Sequence, residues 1–144
     1  MSTQPVAKED YPVEQPDWFL QTLVSMVNTA PVDFGITLQV GGFLVSGNLI
    51  SGAKYFEAFG SEFSTGLKDP EVAETYRKMF AEGAKIYEPD VNKTEEDLPL
   101  STFIHLKDTR FFNGSGAPIP GNRGVWWRGR ISEVSGFVLG TLGR

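Results

Sequence analysis

The stretch that most restricts this chain is residues 35–51, GITLQVGGFLVSGNLIS. Ile36, Leu38 and Val40 alternate with Thr37 and Gln39, which is the period of a strand with one buried face. Gly41 and Gly42 can supply the positive φ angles of a tight primed turn, so a second strand follows at once and the unit is a hairpin. With these two glycines as the loop, Val40 faces Phe43. Gly47 then falls opposite Ile36, on the apolar side that Val45 and Leu49 share. A glycine inside a strand weakens a flat sheet, but it lets the strand bend sharply so that a sheet can close on itself. The expectation is a small, strongly bent barrel in which Gly41, Gly42 and Gly47 are structural.

The remainder of the 144 residues frames this hairpin, and the length suits one domain with a core of its own. Residues 1–16 hold Pro5, Pro12 and Pro16 and few apolar side chains, which predicts a mobile tail ahead of a single domain over 17–144. Asp17 is placed to cap a helix reaching about residue 29, with Leu20, Leu23, Val24 and Val27 on one face. Between about 53 and 87 the period is helical again. Tyr55, Phe56, Phe59 and Phe63 form one stripe ended near Gly66, and Asp69-Pro70 opens a second helix whose buried face is expected at Val72, Tyr76, Met79, Phe80 and Gly83. The acidic, turn-rich segment 88–99 reads as an exposed loop. Three further strands follow in STFIHLKDTRFF, VWWRGRISEV and GFVLGTL. The fold class expected is therefore α+β: a five-stranded antiparallel barrel with an N-terminal helix and a two-helix insertion between strands two and three.

Charge and composition narrow the chemistry. Thirteen Lys and Arg against eighteen Asp and Glu give a net charge of -5, which opposes nonspecific attraction to nucleic acid or anionic lipid. The absence of cysteine removes disulfides and thiolate chemistry and is consistent with a reducing cytoplasm. No apolar run is long enough to cross a bilayer, and the N-terminus lacks the apolar core of an export signal. His105 has no second histidine or cysteine beside it, so no metal is expected, and its place in an alternating strand reads as structural. Glu88, Asp90, Glu95, Glu96 and Asp97 sit in a polar loop where nothing raises one carboxyl pKa above another. Neither a nucleophile elbow nor a phosphate-binding glycine loop occurs, so no catalytic residue and no cofactor is assigned.

The most informative patch is RGVWWRGR, residues 123–130. Strand alternation puts Trp127 with Val125 and Ile131, on the core side, and Trp126, Arg128 and Arg130 on the other. A flat indole beside two guanidinium groups suits a protein partner or stacked bases. With Lys107 these three residues are the candidate partner-binding set. The competing arrangement leaves Trp126 beneath the inserted helices and pairs the arginines with nearby acids.

The element order, with GITLQVGGFLVSGNLIS, TFIHLKDTRFF and VWWRGRISEVSGFVLGTL as its strands, resembles the Sm-like (Hfq-like) barrel, although the helical insertion departs from that pattern. The blocks DWFLQTLV, FGITLQVGGFLVSGNLISGAKYF, DPEVAE, IHLKDTRFF and PIPGNRGVWWRGRISEVSGFVLG resemble gas vesicle accessory proteins of the GvpU type. That resemblance implies a non-enzymatic role in forming or organising gas vesicles, including vesicle clustering, in the cytoplasm and in association with the vesicles. The implied partners are shell or other accessory proteins rather than a membrane. The Sm-like resemblance implies a homo-oligomer, since open-edged barrels of that kind close rings by pairing strand four with strand five. It also supplies the alternative, an RNA-binding module using Trp126, Arg128, Arg130 and Lys107, which the net charge opposes. An enzyme ranks third and would require a deep pocket lined by His105 and Asp108.

Overall fold

The structure is a computed structural model that describes residues 15–88, 100–119 and 123–142. Most of the expected tail and all of the acidic loop except Glu88 lie outside the described residues. Helix α1 (Trp18–Thr29) starts where the sequence places its cap, the Asp17 carboxylate accepting from the Phe19 amide at 3.1 Å. Strands β1 (Phe34–Val40) and β2 (Phe43–Ile50) form the hairpin in the expected register, with Val40 opposite Phe43 and Ile36 opposite Gly47. Gly41 takes a φ of +59° and Gly42 does not take a positive φ, so the turn needs the left-handed region at its first glycine and not, as expected, at both.

Helices α2 (Gly52–Thr65) and α3 (Pro70–Ala81) and a 3-10 stretch (Glu82–Tyr87) fall between β2 and β3 (Phe103–Phe112). Then come β4 (Val125–Arg130), a 3-10 turn (Ile131–Glu133) and β5 (Val134–Leu139). The five strands make one antiparallel sheet in the order β4-β3-β2-β1-β5. It does not close. β4 and β5 are opposite edges of an open sheet, which corrects the expected barrel.

The role expected for Gly47 changes with it. Ser46 pairs with Arg110 and Asn48 with Lys107, so β3 spends one more residue here than β2 does. The same extra residue appears against β4, where Leu106 pairs with Trp127 and Thr109 with Val125. This is a bulge in β3, with Asp108 in the left-handed region at φ 51°. A Cβ on Gly47 would lie 2.8 Å from the Lys107 carbonyl oxygen and 3.1 Å from the Thr109 Cα. The missing side chain makes room for the bulged backbone of the neighbouring strand and does not close a barrel.

The core lies between α1 and one face of the sheet, where Leu20, Val24 and Val27 meet Ile36, Leu38, Val45, Leu49, Ile104, Leu106 and Ile131. Burial of these side chains is the main favourable term holding the helix to the sheet. Polar groups of α1 fix both ends of the insertion. Asn28 accepts from the Gly52 amide at 2.9 Å, and Gln21 donates to the Ser101 carbonyl at 2.8 Å. The insertion's own aromatic residues pack together: Phe59, Phe63 and Phe80 have ring centroids 5.0–6.3 Å apart. The buried face expected on α3 is corrected here. No residue of α3 is buried and Val72, Tyr76 and Met79 are exposed, while Phe80 is half-buried on Phe59 and Phe63, because among the described residues α3 packs chiefly on α2.

Candidate functional site

The site read from the sequence is the face of β4 turned away from the core. Along β4, Val125, Trp127 and Gly129 are half-buried while Trp126, Arg128 and Arg130 are exposed, an alternation set by the pleat. Trp127 packs against the core cluster, opposite Leu106 of β3. Trp126 is 37% exposed and the Arg130 guanidinium stands 5.8 Å from the Phe103 ring.

Arg128 is held within the molecule. Its guanidinium carbon lies 3.6 Å from the centre of the Phe103 ring and 5.5 Å from that of Phe56. Its Nε donates to His105 Nε2 at 3.2 Å and its Nη2 donates to the Tyr87 hydroxyl at 3.4 Å. The strand pairing explains the first bond, since His105 and Arg128 are directly opposed in β3 and β4. Phe56 comes from α2 and Tyr87 from the end of the insertion, so Arg128 clasps the insertion to the sheet.

His105 lies at the centre of this seam, 1% exposed, with the rings of Tyr55 and Tyr87 at 4.8 and 5.2 Å. Burial, and then the charge of Arg128, push its pKa from 6.5 to about 4. The imidazole is therefore neutral near pH 7 and its Nε2 is free to accept. Burial also raises the pKa of the Tyr55 hydroxyl, against a smaller lowering by Arg128. Lys107 is engaged elsewhere: its Nζ is 3.4 Å from Asp33 Oδ2, which also meets Lys54 Nζ at 3.5 Å.

The four candidate contact residues thus fall into two pairs. Trp126 and Arg130 stand at the surface, whereas Arg128 and Lys107 have partners within the chain. The sequence reading missed Phe103, Tyr55, Phe56 and Tyr87, which hold Arg128 and His105. The hairpin and strand register could have placed His105 beside Arg128, but nothing in the spacing brings residue 87 across to β4.

Other chemistries find less here. His105 is covered, and Asp108 pairs with Arg110 at 3.1 Å. Two open hollows, of about 480 Å³ along α3 and about 100 Å³ against β5, include neither residue in their linings. Among the described residues no group of three or more His, Asp or Glu is placed to hold a metal ion, and no helix is long and apolar enough to cross a membrane. The RNA-binding alternative loses two of its three cations, Arg128 and Lys107, to partners inside the chain.

A family model described as gas vesicle protein GvpU-like matches residues 17–142. Neither a curated protein nor a solved structure matches the chain. The matched range takes in α1, the whole insertion and all five strands. The chain therefore belongs to the GvpU-like family of gas vesicle proteins, a family with a structural or accessory role in these organelles.

Proposed function

We propose that this protein is a non-enzymatic, cytoplasmic accessory factor that acts in gas vesicle formation or organisation through protein-protein contacts, and that its work includes drawing vesicles together. The observation that carries this reading is the family match over residues 17–142. Gas vesicle shells are built of protein, so the partner is a shell protein or another accessory protein and not a lipid surface. The contact surface proposed is the exposed part of β4, with Trp126 as an aromatic anchor and Arg130 beside it, residue types that often carry interface energy. Arg128 is left out of this surface because it serves the seam with the insertion.

The fold reading that accompanies this is an opened Sm-like sheet. It is supported by the leading helix, the strand order β4-β3-β2-β1-β5 and the passage from β4 to β5 through one 3-10 turn. Self-association belongs to the same proposal, since both edge strands are unpaired among the described residues.

The test is flotation with intact vesicles. A Trp126→Ala, Arg130→Ala protein should fold, by circular dichroism and thermal midpoint, yet stay behind when vesicles rise. A folded double variant that floats with vesicles at the wild-type level would sink the assignment of this surface.

A further inference from the structure

We infer that β5 is a self-pairing edge: two copies of this chain join by antiparallel β5 to β5 pairing about a two-fold axis through Phe137, forming one continuous ten-stranded sheet. This deepens the self-association proposed above and does not depend on the contact with vesicles.

The two sheet edges differ in character. β4 carries Arg128 and Arg130, so pairing β4 with its own copy would bring like charges together, and α2 packs partly over this strand. β5 reads VSGFVL, with no charged residue and no proline, in a chain whose net charge is -5. Such an edge has none of the side chains that ordinarily discourage strand addition. It is also apolar. Val138 is 61% and Leu139 72% exposed, although Leu139 pairs with the fully buried Ile36 and belongs to the core face. Phe19 of α1, itself exposed, lies with its ring tilted against that of Phe137, centroids 5.9 Å apart, and widens this patch.

Shape then selects a second copy as the occupant. On the sheet face away from α1, Gly136 leaves a hollow of about 100 Å³, lined also by Thr37, Gln39, Leu44, Val138 and Phe137. Val138 stands two residues along on the same face, because Gly136 pairs with Gln39 and Val138 with Thr37. A two-fold axis through Phe137 sets each Val138 opposite the other copy's Gly136. The projecting side chain of each copy then enters the hollow of the other, twice, as an isologous interface requires. On the opposite face Phe137 meets Phe137 of the second copy, and the two Phe19 rings flank them.

The test uses one substitution that fills the hollow. A Cβ on Gly136 would come no closer than 3.7 Å to its nearest neighbour, Gln39 Oε1, so Gly136→Val suits the isolated fold while obstructing the incoming Val138. Light scattering with size exclusion over a concentration series should report twice the 15.9 kDa chain mass for the wild type. Gly136→Val and Val138→Lys should each give the single mass with the wild-type circular dichroism spectrum and a cooperative transition whose midpoint no longer depends on concentration. Because the chain has no cysteine, oxidation of a mixture of Gly136→Cys and Val138→Cys chains should yield cross-linked dimers. A wild type of single mass at every concentration would overturn the inference, as would a folded Gly136→Val that dimerises like wild type. So would cross-linking of Val138→Cys with Trp126→Cys in place of Gly136→Cys, which would mean head-to-tail pairing of β5 with β4.

Discussion

Gly47→Ala tests the account of the β3 bulge. The added methyl carbon would sit 2.8 Å from the Lys107 carbonyl oxygen, 3.0 Å from Thr109 Oγ1 and 3.1 Å from Thr109 Cα. Two of these three are backbone atoms of a strand paired on both sides, so no rotamer change relieves them and β3 itself must move. Overpacking of this kind costs about 1–3 kcal/mol, while replacing a strand glycine by alanine otherwise returns about 0.5–1 kcal/mol of chain entropy. Because the closest contacts are backbone, the cost lies in the upper part of that range, about 2–3 kcal/mol, so the expected net is a loss of about 1–2 kcal/mol, and Gly47→Val should lose more. In urea, with a slope near 2 kcal/mol/M, the alanine variant's midpoint should fall by about 0.5–1 M. Gly42→Ala is the control, since an added Cβ there meets nothing within 4 Å and its φ is not positive. Equal midpoints for Gly47→Ala and wild type would refute the claim that the glycine makes room for the bulge.

Two further outcomes follow from buried polar groups. His105 has a native pKa pushed from 6.5 to about 4, so the unfolded chain takes up a proton in that interval and the native protein does not. Its contribution is complete above pH 6.5, and about 2–3 kcal/mol is lost as the pH falls towards 4. Urea titrations between pH 7 and 4.5 should show a steeper loss for wild type than for His105→Gln, and identical slopes would refute the assignment. Among the described residues Thr109 Oγ1 is buried and has no hydrogen-bond partner, a state that costs about 1–3 kcal/mol. Thr109→Val should therefore raise the thermal midpoint, and a fall would show that the hydroxyl is satisfied.

The hairpin was legible because its signals are local. Alternation from Ile36 to Val40 and two adjacent glycines fix the register without reference to anything else in the chain, and the Asp17 and Asp69 caps mark their helices in the same way. Gly47 is legible as an anomaly, but its cause is not the expected bend of its own strand. A strand glycine reports that something approaches closely, and the sequence does not say whether that is its own strand bending or a neighbour bulging. The bulge depends on Asp108 taking φ 51°, and Lys107-Asp108-Thr109 carries no glycine to announce it. The expected closure of the sheet fails for the same reason, since the glycine that suggests curvature serves a different distortion. The stripe on α3 is amphipathic without being covered, because such spacing shows which side is apolar and not what lies over it.

The candidate site exposes a limit of alternation as a guide to function. The pleat puts Trp126, Arg128 and Arg130 on one face, and the structure keeps them there, yet the three do not share one environment. The insertion reaches the middle of β4, where Phe56 and Tyr87 meet Arg128, and leaves Trp126 exposed on one side of it. Arg128 is the charged partner that a buried, neutral His105 can accept from, and it lies over the Phe103 ring. Loss of the guanidinium would leave His105 without that donor in an apolar seam. The arginine that the sequence marks as a partner contact is thus tied to the docking of the insertion. A loss of vesicle association after changing Arg128 would report a displaced insertion as readily as a lost contact, which is why Trp126 and Arg130 are the residues that can separate binding from folding.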